Sequence, residues 1–298
     1  MELTKRRPRR HHSQNEQQNI AYLFILLPVV LLLLFAAIPI VMALFYSFTD
    51  YNVVEKPNWV GFSNFAKIFK DEYFFIALKN TAIYTVLYVP LGLVTSLGAA
   101  MILNAHHKGT GIFRTLFYLP VLASSVANAT IWYWLLNPQY GLFNKILGFF
   151  GVNGPAWLYS SKWAMTAIVI MSVWMSFGGN MIIFLAGLQG IGPDLYEAAE
   201  LDGATAWEKF LHVTWPQLSK TTFLVTTQLL IGAFQVFDQA YMLTKGGPGN
   251  STITLVYYIY NKGFGGLNMG YASALSFVLF MIIFVFSAIN MKLNREGE

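Results

Sequence analysis

The largest group of side chains able to do chemistry lies in the stretch LYEAAELDGATAWEKFLHVTWPQL, residues 195–218. Five acids and a single formal base stand in it or directly before it: Asp194, Glu197, Glu200, Asp202, Glu208 and Lys209. Because this charge balance repels phosphate, the stretch is not predicted to read DNA. Two uses stay open: an amphipathic linker at a membrane surface, or a segment that docks into a groove on a partner protein.

Local signals predict two short helices joined by a corner within this stretch. Asp194 is predicted to be the N-cap of the first helix. Gly203 can adopt the left-handed conformation that ends such a helix. Thr205 and Glu208 fit a capping box that starts the second helix, and Pro216 closes it. The expected form is therefore helix, tight turn, helix.

The docking interpretation gives both helices a role. Ala198 and Ala199 leave a shallow face that permits close approach, while Glu197 and Asp202 can meet backbone donors or basic side chains of a partner. Three apolar side chains of the second helix are expected to pack back under the rest of the chain: Trp207, Phe210 and Val213.

Polar groups inside an otherwise apolar segment form a second candidate site, a substrate path. Four residues recur at i, i+4, i+7 and i+11, and so share one helical face: Gln228, Gly232, Gln235 and Gln239. Aromatic and acidic neighbours accompany them: Phe234, Phe237 and Asp238. Amides that bond hydroxyls beside rings that stack on sugar faces suit a neutral polyol, but hydrogen bonding between helices accounts for the same amides. Asn128 and Asn180 are further candidates, with close helix packing the favoured interpretation.

Catalytic and metal-binding constellations are absent from the sequence. It has no cysteine, and four of its five histidines form adjacent pairs, at 11–12 and 106–107, whose side chains point apart on a helix. No phosphate-binding loop of the G-x-x-x-x-G-K-[ST] type occurs. The chain is therefore predicted to be non-catalytic, with no metal site and no cofactor of its own.

The amino-acid composition of the chain indicates the kind of fold that positions these groups. Of the 298 residues 56% are hydrophobic and only 11% are charged, whereas soluble domains average about 25% charged residues. A spanning helix needs roughly 20 apolar residues, and runs of that kind occur near 20–46, 80–103, 115–136, 163–187, 221–243 and 271–291. All are too long for barrel strands, so the predicted fold is an all-α membrane protein, a six-span helical bundle at 20–298.

Charge distribution predicts the topology. A basic tail at 1–19 carries five cations just before the first span: Lys5, Arg6, Arg7, Arg9 and Arg10. By the positive-inside rule this tail is cytoplasmic and touches anionic lipid rather than nucleic acid. Six spans then return the C-terminus to the cytoplasm and place 193–216 on the same side.

Several separated motifs, in order along the chain, identify a family resemblance. The residues Glu197-Ala198-Ala199, Asp202-Gly203-Ala204, Phe210, Val213 and Pro216 closely resemble the EAA motif of ABC importer permeases. Val213 stands where isoleucine is usual, and Lys220 where a further proline is common. The stretches WVGFSNFAKIF, GLQGIGPDLYEAA and FDQAYMLTKGGPGNSTITLVYYIYNKGF look like the sugar-type branch, which includes maltose, lactose and glycerol-phosphate permeases.

The resemblance implies a type I ABC importer transmembrane domain in a bacterial cell membrane that carries a sugar or oligosaccharide inward. It implies that a cytoplasmic coupling helix meets a separate ATPase through Glu197, Ala198, Ala199, Asp202, Gly203 and Ala204. The implied partners are a second homologous permease in a heterodimer, two ATPase subunits that use ATP and Mg, and an extracytoplasmic sugar-binding protein. The alternative is an ion-coupled secondary transporter of small polar solutes. Such a carrier is expected to need a buried carboxylate or histidine in mid-span, and only Asp238 approaches that.

Overall fold

The computed structural model describes residues 14–105 and 109–296. Within these ranges the chain is helical, with an isolated bridge between Thr49 and Trp59 and no strand. The predicted all-α class is confirmed. The cations of the basic tail, both histidine pairs and Lys108 lie outside the described residues.

The first half of the chain forms eight helices: α1 (Gln14–Leu32), α2 (Ile38–Tyr46), α3 (Ser63–Ile68), α4 (Glu72–Asn104), α5 (Thr110–Leu122), α6 (Ser125–Leu135), α7 (Leu142–Phe149) and α8 (Ala164–Gln189). The second half adds seven: α9 (Pro193–Leu201), α10 (Ala206–Lys209), α11 (Trp215–Gln217), α12 (Ser219–Phe234), α13 (Asp238–Leu243), α14 (Leu255–Tyr260) and α15 (Met269–Glu296). Three π-helical turns, at Leu33–Ala37, Phe210–Thr214 and Asn261–Gly265, join neighbouring helices, and a 3-10 turn lies at Trp157–Tyr159.

Four helical segments of the described chain are long and apolar enough to cross a membrane. They are Phe24–Tyr46, Glu72–Asn104, Ala164–Gln189 and Met269–Lys292. Each covers one of the predicted spans, so a multi-pass membrane protein is confirmed. The two remaining predicted spans are interrupted, and the count of six stays a prediction.

The predicted span at 115–136 is not one helix. It divides into α5 and α6, which meet at 101°. The Ser124 side chain accepts a hydrogen bond from the Ala127 N–H at 3.2 Å and so starts a new helix. A break at this depth leaves carbonyls without helical partners. Asn128 Nδ2 donates to the Pro120 carbonyl at 3.0 Å and satisfies one of them.

The predicted span at 221–243 is also interrupted. Its helix ends at Phe234, and the chain becomes helical again only at Asp238. The buried Thr254 hydroxyl donates to the Val236 carbonyl at 2.8 Å, which supplies a partner that a continuous helix would have provided. The four-residue stripe predicted on one helix is therefore cut after Gln235.

The core lies where α4 runs alongside α8. Both helices run in the same direction, because Tyr84 lies beside Ser172 and Tyr88, one turn later, beside Ser176. The α5 helix packs on the other side of α8 at very short range. A Cβ added at Gly178 would lie 2.0 Å from the Phe117 carbonyl oxygen. Only glycine permits this approach of two backbones.

The N-terminal end of α4 lies opposite to the α9–α11 segment. There the Asp71 carboxylate accepts hydrogen bonds from residues of three helices. Asp71 accepts hydrogen bonds from the Tyr258 hydroxyl at 2.5 Å and the Tyr271 hydroxyl at 2.6 Å. It also caps α4 by accepting from the Tyr73 N–H at 3.0 Å. Burial acts to raise the pKa of Asp71, but the two tyrosine hydrogen bonds outweigh it and hold the pKa below its usual value. The charged carboxylate is thus the form that joins α4 to α14 and α15.

Candidate functional site

The α9–α11 segment begins two residues earlier than its acidic residues suggest. The N-cap of α9 is Gly192, in an extended conformation, and Pro193 is the first helical residue. The predicted cap at Asp194 is therefore wrong. Proline holds the preceding residue extended and is itself suited to the first helical position. Asp194 instead lies in the first turn, where its charge favours the positive end of the helix.

The corner after α9 has the predicted conformation. Gly203 has a φ of 78°, in the left-handed region. The Gly203 N–H donates to the Glu200 carbonyl at 3.0 Å, and the Ala204 N–H to the Ala199 carbonyl at 2.9 Å. The last turn of α9 is thus closed by backbone bonds that require the chain to reverse at Gly203.

The second short helix starts with the predicted capping box. The Thr205 N–H donates to Glu208 Oε2 at 2.7 Å, and the Glu208 N–H donates back to Thr205 Oγ1 at 3.3 Å. The bond from the Thr205 N–H lowers the pKa of Glu208. From there the chain stays helical through α10, the π-helical turn and α11, which ends at Gln217, one residue after the predicted stop at Pro216.

Two contacts fix the angle between the helices of this segment. Lys209 Nζ lies 2.7 Å from Glu200 Oε1, and the Tyr196 and Thr214 hydroxyls are 3.0 Å apart. An exposed ion pair of this kind contributes about 0–1 kcal/mol to stability. The angle between the helices therefore depends mainly on the capping bonds and on the left-handed turn at Gly203. The segment is a defined shape rather than a loose linker.

The surface that this geometry exposes combines small, acidic and apolar groups. Of the six residues predicted to couple, four are exposed and Ala199 and Ala204 are half-buried; the exposed ones are Glu197, Ala198, Asp202 and Gly203. Beside them Leu201 is 91% exposed, a residue that the sequence analysis did not single out. We name the surface formed by Glu197, Ala198, Leu201, Asp202 and Gly203 the corner surface.

The predicted packing of the second helix is wrong for one residue. Trp207 is 66% exposed, and its ring stacks on Phe210 at 5.4 Å instead of lying under the bundle. Phe210 and Val213 are half-buried. An exposed indole next to the corner surface extends the apolar area available to a partner.

A cavity of about 360 Å³ lies where α12 is interrupted. It brings together five predicted substrate-path residues with two tyrosines of α4: Gly232, Gln235, Phe237, Asp238, Gln239, Tyr84 and Tyr88. Val236 completes its lining. The two tyrosine rings stack at 5.2 Å. Amide, carboxylate and aromatic faces around one space can bind a polyhydroxylated solute.

The other predicted substrate-path residues are not brought into this cavity. Phe234 is buried against α15, where its ring lies 5.1 Å from that of Phe286. Gln228 is exposed on α12, away from the cavity. Asn128 serves the α5–α6 break, and Asn180 is buried in α8 two residues after the tight Gly178 contact. The packing interpretation thus fits both asparagines.

Comparison with known families gives this geometry its context. The family described as "Binding-protein-dependent transport system inner membrane component" matches residues 89–295, which include the corner surface and the cavity's α12–α13 lining. The chain belongs to this family. The expected resemblance to binding-protein-dependent permeases is confirmed.

Curated permeases match almost end to end. A probable ABC transporter permease, YurN of Bacillus subtilis, is 34% identical over 289 residues, covering 95% of this chain and 99% of the relative. The lactose transport system permease LacF of Rhizobium radiobacter is 34% identical, covering 93% and 94%. The trehalose/maltose transport system permease MalF of Thermococcus litoralis is 32% identical, covering 94% and 95%.

Solved structures support the fold. A chain of a bacterial ABC transporter for import of the acidic polysaccharide alginate superposes with a TM-score of 0.83 at 24% identity, covering 94% of this permease and 96% of that chain. A second structure of a bacterial alginate ABC transporter, in complex with a pentasaccharide-bound periplasmic protein, gives 0.83 at 23% identity, covering 97% and 98%. At these identities the likeness establishes the transmembrane-domain fold of the permease.

Proposed function

We propose that this permease is the transmembrane subunit of an importer that moves a sugar or oligosaccharide into the cytoplasm, driven by ATP hydrolysis on separate subunits. The working assembly contains a second homologous permease, two ATPase subunits that use ATP and Mg, and an extracytoplasmic sugar-binding protein. The permease itself does no catalysis.

The observation that carries this proposal is the corner surface. It is an exposed surface on a membrane chain, built from small and acidic residues and Leu201 around a left-handed glycine. Ala198 and Gly203 allow a partner backbone to approach closely, Leu201 offers an apolar anchor, and Glu197 and Asp202 offer acceptors. No ATP-binding motif occurs in the sequence, so transport driven by ATP would need such a contact with a separate subunit.

Charge supports the orientation that we propose. The cations of the basic tail precede the first span, which favours a cytoplasmic location for both termini and the corner surface when the chain crosses the membrane six times. Asp71 and the two tyrosines bonded to it, Tyr258 and Tyr271, then lie on the outer side of the membrane, where the binding protein delivers the solute.

We infer the chemical class of the solute from the residues that line the cavity and from the sugars for which the relatives are named. The lining offers Gln235 and Gln239 amides beside the Tyr84 and Tyr88 rings, which suits hydroxyl groups and sugar faces. The relatives LacF and MalF are named for lactose and for trehalose and maltose. A neutral saccharide is therefore the proposed solute.

The test is sugar-stimulated ATP hydrolysis by the complete transporter in vesicles, with the binding protein and a panel of saccharides. We expect at least one saccharide to stimulate hydrolysis and to accumulate inside. Accumulation driven by an imposed ion gradient without ATP would overturn the proposal in favour of a secondary transporter.

For the cavity, Gln235→Ala is expected to raise the saccharide concentration needed for half-maximal uptake about fivefold. One lost hydrogen bond to a neutral group is worth about 1 kcal/mol. Gln228→Ala, on α12 but outside the cavity, is the matched control and should change uptake less. Equal effects of the two changes, or loss of assembly with Gln235→Ala, would show that these amides join helices rather than contact the solute.

A further inference from the structure

The surface between α4, α5 and α8 holds an apolar groove of about 570 Å³ that is separate from the substrate cavity. Its lining includes Val94, Gly98, Ile102, Phe117, Trp174 and Phe177. Val94 and Ile102 are exposed in this chain, on a helix long and apolar enough to cross a membrane, so the groove is open at the surface of the chain. Gly98 leaves its floor open, because a Cβ added there would meet no atom within 4 Å.

Arg114, one turn before Phe117 on α5, is half-buried and has no counterion among the described residues. Arg114 Nε is buried and makes no hydrogen bond within the part of the chain that the structure describes. No carboxylate lies within ion-pair distance of Arg114 among the described residues. A buried N–H group without an acceptor is costly, so the Nε of this half-buried guanidinium favours a hydrogen-bond partner.

The position of Arg114 along α5 decides what kind of partner can reach it. The parallel helices α4 and α8 both end on the side of the corner surface, and α5 starts there. Arg114 is four residues into α5, about 6 Å along the helix axis from its start. Long side chains of a helix point toward its N-terminus, so the guanidinium is directed at the lipid headgroup level on that side.

The sequence order on α5 links the cation to the groove. Arg114, Phe117 and Tyr118 are half-buried, while the residues between them are exposed, so all three face the bundle. Phe117 lines the groove, and Arg114, which is not itself a lining residue, lies one turn farther along α5 toward the corner surface. Positive charge at the headgroup level and apolar space behind it match the two parts of an anionic phospholipid.

We propose that this groove binds one anionic phospholipid of the leaflet on the corner-surface side. Its phosphate accepts hydrogen bonds from the Arg114 guanidinium, and an acyl chain lies along Gly98 and Phe117. The lipid supplies the anion that Arg114 lacks within the described chain. This site is independent of which saccharide is carried.

The test is the phosphatidylglycerol retained by the assembled transporter after purification from vesicles that contain equal phosphatidylglycerol and phosphatidylcholine, measured by mass spectrometry of extracted lipid. We expect Arg114→Gln to lose about one phosphatidylglycerol per permease, and Arg114→Lys to keep most of it. Gly98→Leu, whose side chain has room in this chain but fills the groove, should lose the same lipid while assembly stays intact.

Two controls separate this site from general charge attraction and from altered helix stability. Lys220→Gln removes one exposed positive charge on the same side, and Gly148→Leu adds a side chain at an open glycine of α7; both should keep the lipid. Equal loss with Lys220→Gln, equal loss of phosphatidylcholine, or unchanged lipid in both Arg114→Gln and Gly98→Leu would overturn the proposal. The last outcome would indicate that a protein partner covers the groove.

Discussion

Replacing Gly203 with valine is expected to reduce ATP-driven uptake at least tenfold while the transmembrane bundle still folds. The φ of 78° is strained for any L side chain, most of all for a β-branched one. Open space surrounds the Cα, so the effect comes from the backbone conformation and not from a collision. The corner would open, and the corner surface would lose the shape that a partner contacts. Uptake and ATP hydrolysis are measured in the same vesicles.

Gly203→Asn is the matched control for this change. Asparagine adopts the left-handed conformation more readily than other side chains and is the second choice at helix ends. We expect it to keep most of the uptake. Equal activity of the valine variant and the wild type would mean that the corner does not transmit energy.

The second large effect is expected from the adjacent glycines of α8. In Gly178→Ala the new Cβ would lie 2.0 Å from the Phe117 carbonyl oxygen, so α5 and α8 must separate. Overpacking of this kind costs about 3 kcal/mol or more, because one backbone meets another and neither can rotate away. We expect a large loss of thermal stability in detergent, or no folded protein.

Gly179→Ala tests the reason for that loss. A Cβ at Gly179 would lie 3.9 Å from the Val121 side chain, which is an ordinary contact. Alanine also favours the helix over glycine by about 1 kcal/mol. The variant should therefore be as stable as the wild type or slightly more stable. Similar losses at both positions would show that the α5–α8 contact is not the cause.

The parts of the site that the sequence predicts correctly depend on neighbours within a few residues. Gly203 ends its helix, and Thr205 with Glu208 starts the next, through bonds that span three residues. Position and conformation could be inferred because all the partners lie in one short stretch.

The predicted cap at Asp194 is wrong because of its neighbour Pro193, whereas the interruption of the predicted stripe is decided by a distant residue. The interruption after Phe234 depends on Thr254, whose hydroxyl satisfies the Val236 carbonyl from 18 residues away. A run of apolar residues gives no sign of that partner, so the sequence predicts the stripe on one straight helix. The sequence does not indicate the role of Tyr84 and Tyr88 for a similar reason: within a span they resemble lipid-facing aromatics, and it is packing that brings them to the cavity.

The most direct test of the proposed coupling contact is site-directed cross-linking between the permease and its ATPase subunit. The chain has no cysteine, so a single introduced thiol on it reports one position. Ala198→Cys, on the corner surface, is expected to cross-link to the ATPase subunit after labelling with a maleimide that carries a photoactivatable benzophenone group and illumination. Ala156→Cys, exposed in the segment placed on the opposite side of the membrane, should give no such product. Absence of the Ala198→Cys product in vesicles that still take up sugar with ATP would contradict the coupling role of this segment.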